Sequence, residues 1–510
     1  MKPPSVDVQA LMRTVKTSKV WKSIFRHGYE DTPRNRSLMI LSNVWLHLHP
    51  VKLRPAGMRV GFTWAGMGIL SFWLFLVLTL TGLLLMFYYR PTVEHAYLDM
   101  KDLQFVVPFG VPLRNMHRWA AHFMVFAVML HMASVFYRGG YKSPREFNWV
   151  VGVILLLLTL LLSFTGYLLP WDQLAIWAIT VGANMAAATP LLGSEGPLAI
   201  LGPSNDARFM LLGAKAVGQT ALLRFYVLHC VVLPFAFAML VSLHFWRVRK
   251  DEFSAVPLPP KAERRQGVRV EEWLRTHKEA LAEQVFVWPH VIAREFVAIL
   301  LLSLALFGWS LMANAPLEGI ADPNKTPNPS KAPWYFVGLQ ELLVYFDPWI
   351  AGVALPTVIL LGLMTIPYLD HNPKGIGYYN VRDRTFAVTM FTIGLSMWGI
   401  LIAIGYYLRG PGWEWYWPWQ PWDLHRATSQ TAMWNLPNWV GIPLILLFFG
   451  AFVELPKRLW RGVTDGLGRT QYLITALLTG GLFFVLLKVI LRLTLRVKYF
   501  VSFPDINLNI

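Results

Sequence analysis

"HRWAAHFMVFAVMLH", residues 117–131, opens and closes on histidine inside a stretch otherwise apolar enough to lie in a bilayer. An ionisable side chain in hydrocarbon is expensive, roughly 2.5–3.5 kcal/mol on insertion scales for the charged types, so something should offset the cost. The spacing suggests what. Fourteen residues at about 1.5 Å rise set His117 and His131 about 21 Å apart, and fourteen steps of about 100° bring the second ring nearly back to the face of the first. The two look inward together, one near each side of the membrane. His122 lies five residues past His117 and points about 140° away, so it reads as a packing or interhelical hydrogen-bonding residue.

The surrounding chain supports a membrane setting. Of 510 residues, 55% are hydrophobic and 15% charged, too apolar for an ordinary soluble protein of this length. Uncharged runs recur at 69–89, 119–137, 150–169, 225–246, 296–313, 350–369, 386–408, 439–455 and 472–487. Each is near the length a helix needs to cross about 30 Å of hydrocarbon, the last two being short. The expected fold is an all-α, polytopic transmembrane protein of about nine spans, with a four-helix bundle in its N-terminal half.

A net charge of +17 could point to nucleic acid, but its distribution excludes that reading. With the N-terminus inside, the inner segments 1–60, 138–148, 247–287, 370–384 and 456–470 hold 30 of the 46 Lys and Arg, and the four opposite loops hold nine. That is the positive-inside pattern of a multi-pass protein in a bilayer. Lys488, Arg492, Arg496 and Lys498 resist it, falling toward the outside if the ninth span is real. The N-terminus shows no apolar signal-peptide core. The single cysteine, Cys230, leaves no internal disulfide, zinc ribbon or cysteine-held iron–sulfur cluster.

The loops divide the chain. Residues 1–60 form a basic inner-surface segment, 61–250 a four-helix domain, 251–287 a charged cytoplasmic linker, 288–410 a three-helix domain, and 411–510 a Trp-rich outer loop with two last helices. The tryptophans at 413–422 suit an interfacial aromatic belt, or a docking surface for an extra subunit such as a cytochrome c.

The fourth span supplies the second half of the histidine question. It carries His229 and His244, fifteen apart, and runs from outside to inside like the helix of His117. His117 and His229 therefore share an outer level, and His131 and His244 an inner one. Two facing imidazoles at each of two depths is the arrangement that clamps two hemes by both axial positions, and such six-coordination suits electron transfer. Span one holds Gly68 and Gly82, and span three Gly152 and Gly166, each pair fourteen apart, where only glycine lets a flat macrocycle press on the helix backbone. Ordinary small-residue helix packing accounts for one such pair, but not for both in register with the histidines.

The stretches "FYYRPTV", "NMHRW", "GGYKSPRE", "TGYLLPWDQ" and "RFYVLH" resemble cytochrome b of the Rieske/cytochrome b complexes, in spacing as well as residues, from about Gly61 to Lys250. The fifteen-residue interval resembles the chloroplast and cyanobacterial branch. Residues 288–408, with "YFVGLQELLVYFDPW" and "LLGLMTIPYLD", resemble the second part of the family, a separate subunit four in the chloroplast complex and fused here. The resemblance implies two non-covalent b-type hemes, a quinol oxidase site at the outer heme, a quinone reductase site at the inner heme, and a proton-translocating oxidoreductase complex. It implies as partners a Rieske iron–sulfur protein and a cytochrome c subunit or soluble acceptor, in a dimeric multi-subunit complex of a bacterial-type inner membrane. It also implies that Arg114 pairs with an outer heme propionate, while Arg247 is placed to serve the inner one.

Three departures stand out. The family's Pro-Glu-Trp-Tyr motif of the quinol pocket is here Ala332-Pro333-Trp334-Tyr335, with proline in place of a proposed proton-accepting glutamate. Trp334 and Tyr335 remain as pocket residues, and Glu341, in an apolar helix-like stretch, is the expected replacement base. Where the chloroplast branch attaches an extra heme through cysteine stands Gly66, so no covalent heme is expected. The arginine usually three residues past the inner ligand is Ser134. Two other readings stay open on these residues: a diheme quinone-linked anchor for a dehydrogenase, and a transporter whose buried histidines relay protons.

Overall fold

The computed structural model describes residues 7–24, 30–56, 66–252, 254–422, 433–459 and 466–510. The expected start of the four-helix domain at Gly61 and the far end of the tryptophan loop lie outside the described residues. Among the described residues, nine helices are long and apolar enough to cross a membrane: Met67–Met86, Gly110–Tyr137, Glu146–Leu168, Gln219–Asp251, His290–Met312, Ile350–Leu369, Thr385–Leu408, Asn438–Arg458 and Arg469–Leu495. In hydrocarbon every backbone N–H and C=O must be satisfied within the segment, and long leucine-rich runs do so as helices. Among the described residues, the strands form two short antiparallel pairs, Lys52–Leu53 with Val285–Phe286 and Ser502–Phe503 with Leu508–Asn509. The first pair joins the N-terminal inner segment to the end of the charged linker.

The second helix packs on the first, third and fifth, and the third packs on the fourth, so the histidine-bearing helices two and four face across a bundle completed by one and three. Leu74, Phe75, Ala120, Met124, Val151, Leu155, Phe237 and Val241 fill its middle as one apolar cluster. Apart from Val151, which adjoins Gly152 at the inner level, these residues lie between the two histidine levels. Helix two stops where Gly139 adopts φ +64°, the left-handed conformation that closes a helix C-terminus and that glycine adopts without strain.

The sixth helix bridges the halves, touching helix three on one side and helix nine on the other, while helix eight packs on nine. The last two helices, short as apolar runs, extend past those runs at both ends. The positive cluster at their outer end is accommodated by burial of Lys488, whose ammonium donates to the Lys498 carbonyl at 2.6 Å and faces the Phe500 ring at 4.8 Å.

Candidate heme and quinol sites

Helix two carries His117 and His131, and helix four carries His229 and His244, so the four rings come from two facing elements. The His117 and His229 ring centroids are 6.2 Å apart and those of His131 and His244 are 6.4 Å apart, each pair near perpendicular at 82°. The expected levels are thus brought together as pairs. Two metal–imidazole bonds of about 2 Å put about 4 Å between ligating nitrogens, and the remaining distance is about the half-width of two rings. The separation suits an iron held from both sides.

The fifteen-residue interval in helix four should rotate His244 about 60° away from His229 on a regular helix. A π-turn over Leu228–Val232 absorbs the extra residue, and His229 sits inside it.

Each glycine faces the histidine of its own level. A Cβ on Gly82 would stand 3.1 Å from His117 Cε1, one on Gly166 2.5 Å from His229 Cε1, one on Gly68 3.0 Å from His131 Cε1, and one on Gly152 3.6 Å from His244 Cε1. The glycines fall in register with the histidines, each backbone lying against the imidazole ring of its own level. Any side chain at Gly166 would displace the ring it seats.

The residue before each outer glycine is threonine. Thr81 Oγ1 lies 2.9 Å from His117 Nδ1 and donates its own hydrogen to the Val77 carbonyl at 2.7 Å. Thr165 Oγ1 lies 3.1 Å from His229 Nδ1 and donates to the Leu161 carbonyl at 2.9 Å. With each hydroxyl hydrogen committed to backbone, the threonine accepts from Nδ1–H and leaves Nε2 bare, the nitrogen that ligates a metal. Sequence reasoning passed over both threonines, although each adjoins a glycine it had singled out. At the inner level Met67 and Val151 take these places, and the buried Nδ1 atoms of His131 and His244 have no hydrogen-bond partner.

The arginines divide. Arg114 donates to the Ala315 and Pro316 carbonyls at 2.8 and 2.6 Å, tying helix two to the segment after helix five. Arg118 lays its guanidinium over the Tyr167 ring at 4.7 Å, and its buried Nε has no partner. Arg247 pairs with Asp251 at 2.7 Å and lies over Phe147.

A second cluster gathers at the start of the short helix Trp334–Tyr345. Trp334 Nε1 donates to His122 Nδ1 at 2.9 Å, and the buried Tyr335 ring lies 5.8 Å from that of His122. His122 is the interhelical hydrogen-bonding residue that its angle on the helix implied. Glu341 needs correction. The sequence suggests a replacement base, but at 0% exposure it receives Arg409 Nη2 at 2.7 Å, Tyr345 Oη at 2.7 Å and Trp413 Nε1 at 3.0 Å. A carboxylate so saturated with donors is a structural knot between the short helix and the outer tryptophan loop, and its oxygens are taken.

Two bis-histidine levels in a four-helix membrane bundle define a membrane cytochrome. The model for "Cytochrome b/b6/petB" matches residues 53–252, and that for "Cytochrome b(C-terminal)/b6/petD" matches residues 320–408. The cytochrome b6 of Synechocystis sp. is 41% identical over 188 residues, 37% of this chain and 80% of the relative. That of Euglena gracilis is 40% identical over 188 residues, 37% of this chain and 82% of the relative. A chain of the solved "Hyperthermophilic respiratory Complex III" superposes with a TM-score of 0.57 over 73% of this chain and 89% of its own length, at 24% identity. The chain belongs to the cytochrome b/b6 family, with the b6 and subunit-four parts fused. It is the cytochrome b subunit of a quinol-oxidising membrane complex of the bc1/b6f type, a redox enzyme, which sets aside the dehydrogenase-anchor and transporter readings. Residues 409–510 lie beyond both matched segments.

Proposed function

We infer that the chain holds two non-covalent b-type hemes, the outer between His117 and His229 and the inner between His131 and His244. The observation that carries this is the pairing of the four rings at 6.2 and 6.4 Å with a glycine backbone behind each. Bound there, the hemes supply one-electron redox chemistry, passing an electron from outer quinol toward inner quinone. Thr81 and Thr165 hold the outer imidazoles in the ligating tautomer, and the apolar layer around Leu74 and Met124 excludes water between levels.

The outer quinol pocket is built around Trp334, Tyr335 and His122. Because His122 Nδ1 accepts from Trp334, the ring hydrogen sits on Nε2, a donor that can orient a quinone oxygen. Proline at 333 brings neither a carboxylate nor a backbone N–H to this entrance. The second electron of quinol goes to a Rieske iron–sulfur protein and on to a cytochrome c subunit or soluble acceptor, within a dimeric complex. The charge asymmetry of the loops supports an N-terminus on the inner side of a bacterial-type cytoplasmic membrane. With Gly66 at the start of helix one and Cys230 on helix four, the chain has no thiol for a covalent heme at that position.

A reduced-minus-oxidised spectrum with heme extraction tests this reading. Two b-type components per chain, both extracted by acidified acetone, are expected; a folded chain carrying no heme would refute it.

A further inference from the structure

Arg138 is the C-cap of helix two and is only 8% exposed. Its guanidinium folds back along its own helix, Nε donating to the Ser134 carbonyl and Nη2 to Ser134 Oγ, both at 3.0 Å. Among the described residues no carboxylate forms an ion pair with it; of the neighbouring inner cations, Lys142 pairs with Asp370, Arg247 with Asp251 and Arg269 with Asp383, while Arg384 is satisfied by two carbonyls and the Tyr141 hydroxyl. A buried cation ordinarily has an anion against it.

Helix geometry says where that anion belongs. Arg138 is seven residues past His131, two turns, so about 700° of rotation leaves it within about 20° of the ligand's face. By turning back to Ser134 the guanidinium covers the turn between itself and His131. Capping does not account for it, because Arg384, at the start of helix seven, already takes the terminal Phe136 and Tyr137 carbonyls at 3.0 and 2.9 Å. The inner level also has polar atoms left over: His131 Nδ1, His244 Nδ1 and Asn148 Oδ1 are among the buried atoms without partners.

We propose that Arg138, held by Ser134, is the counter-ion of a carboxylate on the group clamped between His131 and His244, a heme propionate, and that its charge favours the reduced state of that heme. The inference rests on the two-heme reading above. A reduced heme carries one more negative charge than an oxidised one, and in a low-dielectric site a nearby cation favours it. Ser134 is the means by which an arginine one turn further along reaches the same place.

The test is a redox titration of the purified complex carrying Arg138→Gln, with the inner heme identified as the component missing from His131→Ala. Both hemes should remain. At an ambient potential equal to its wild-type midpoint, the reduced-to-oxidised ratio of the inner heme should fall about tenfold, equivalent to 59 mV for one electron. The outer heme should move much less, and Arg138→Lys should restore most of the shift. Unchanged potentials with both hemes present, or a lowered melting temperature without a potential shift, would show Arg138 to be a structural cap and overturn the proposal. A wild-type complex with one b heme would overturn the two-heme reading itself.

Discussion

Thr81 Oγ1 accepts the Nδ1 hydrogen of His117 across 2.9 Å, and Thr81 is the residue before the glycine on which that ring rests. One short sequence, Thr-Gly, therefore both seats the ring and sets its tautomer, and Thr165-Gly166 repeats it for His229. The inner rings rest on glycines without the hydroxyl.

A hydrogen bond to Nδ1–H makes an imidazole a stronger donor to its metal, which favours the oxidised iron. Thr81→Val should accordingly keep both hemes and make the outer one easier to reduce, by roughly threefold to tenfold in its reduction equilibrium. Redox titration reads this directly. An outer midpoint unmoved by the substitution would show that the hydroxyl only fills space.

The two levels are separable by spectrum. His117→Ala and His229→Ala should remove one and the same b-type component, and His131→Ala and His244→Ala the other. Loss of a common component from His117→Ala and His131→Ala would break the assignment.

Glu341 predicts stability instead of proton chemistry. Glu341→Gln leaves Arg409 buried at 7% exposure without its carboxylate, and stranding one member of a buried pair costs about 3–5 kcal/mol. Thermal unfolding should occur at lower temperature, with both heme spectra intact. A variant of full stability whose quinol oxidation is selectively slowed would restore the catalytic reading.

At the inner surface, His49 donates from both ring nitrogens, to Glu295 Oε2 at 3.0 Å and the Leu46 carbonyl at 3.2 Å. Burial alone would lower its pKa, but the Glu295 carboxylate outweighs it and holds the pKa above the ordinary value. A raised folded-state pKa means that the stabilisation is fully present below about pH 6.5 and fades as pH rises through the folded value. Residues 46–56 should be better protected from hydrogen exchange at pH 6 than at pH 8, and His49→Gln should abolish the difference. Equal protection at both pH values in the parent chain would disprove the link.

How far these sites were legible depends on what each residue needs. The histidine pairs and their glycines were readable because helical period and membrane thickness convert sequence spacing directly into depth and face. The nine helices followed from hydrocarbon length, though polar ends extended the last pair beyond their apolar runs. Glu341 was misjudged because its partner, Arg409, is 68 positions away and arrives through tertiary packing that no local pattern announces. His122 was placed on the correct face, but the indole that meets it comes from a helix 212 positions on. The threonines were within reach of sequence reasoning, since a hydroxyl beside each outer glycine and none beside the inner ones is visible in the letters.

The π-turn at Leu228–Val232 carries a consequence for how such chains change over time. A wide turn is a helix with one residue in reserve, so a length difference here leaves depth and facing untouched. Deleting one residue within the turn would return it to ordinary helix with both histidines still in register, whereas the same deletion a few residues further inward would swing His244 out of line. A chain with fourteen residues between these histidines and no wide turn would therefore hold them at the same depths and on the same faces as this one does with fifteen.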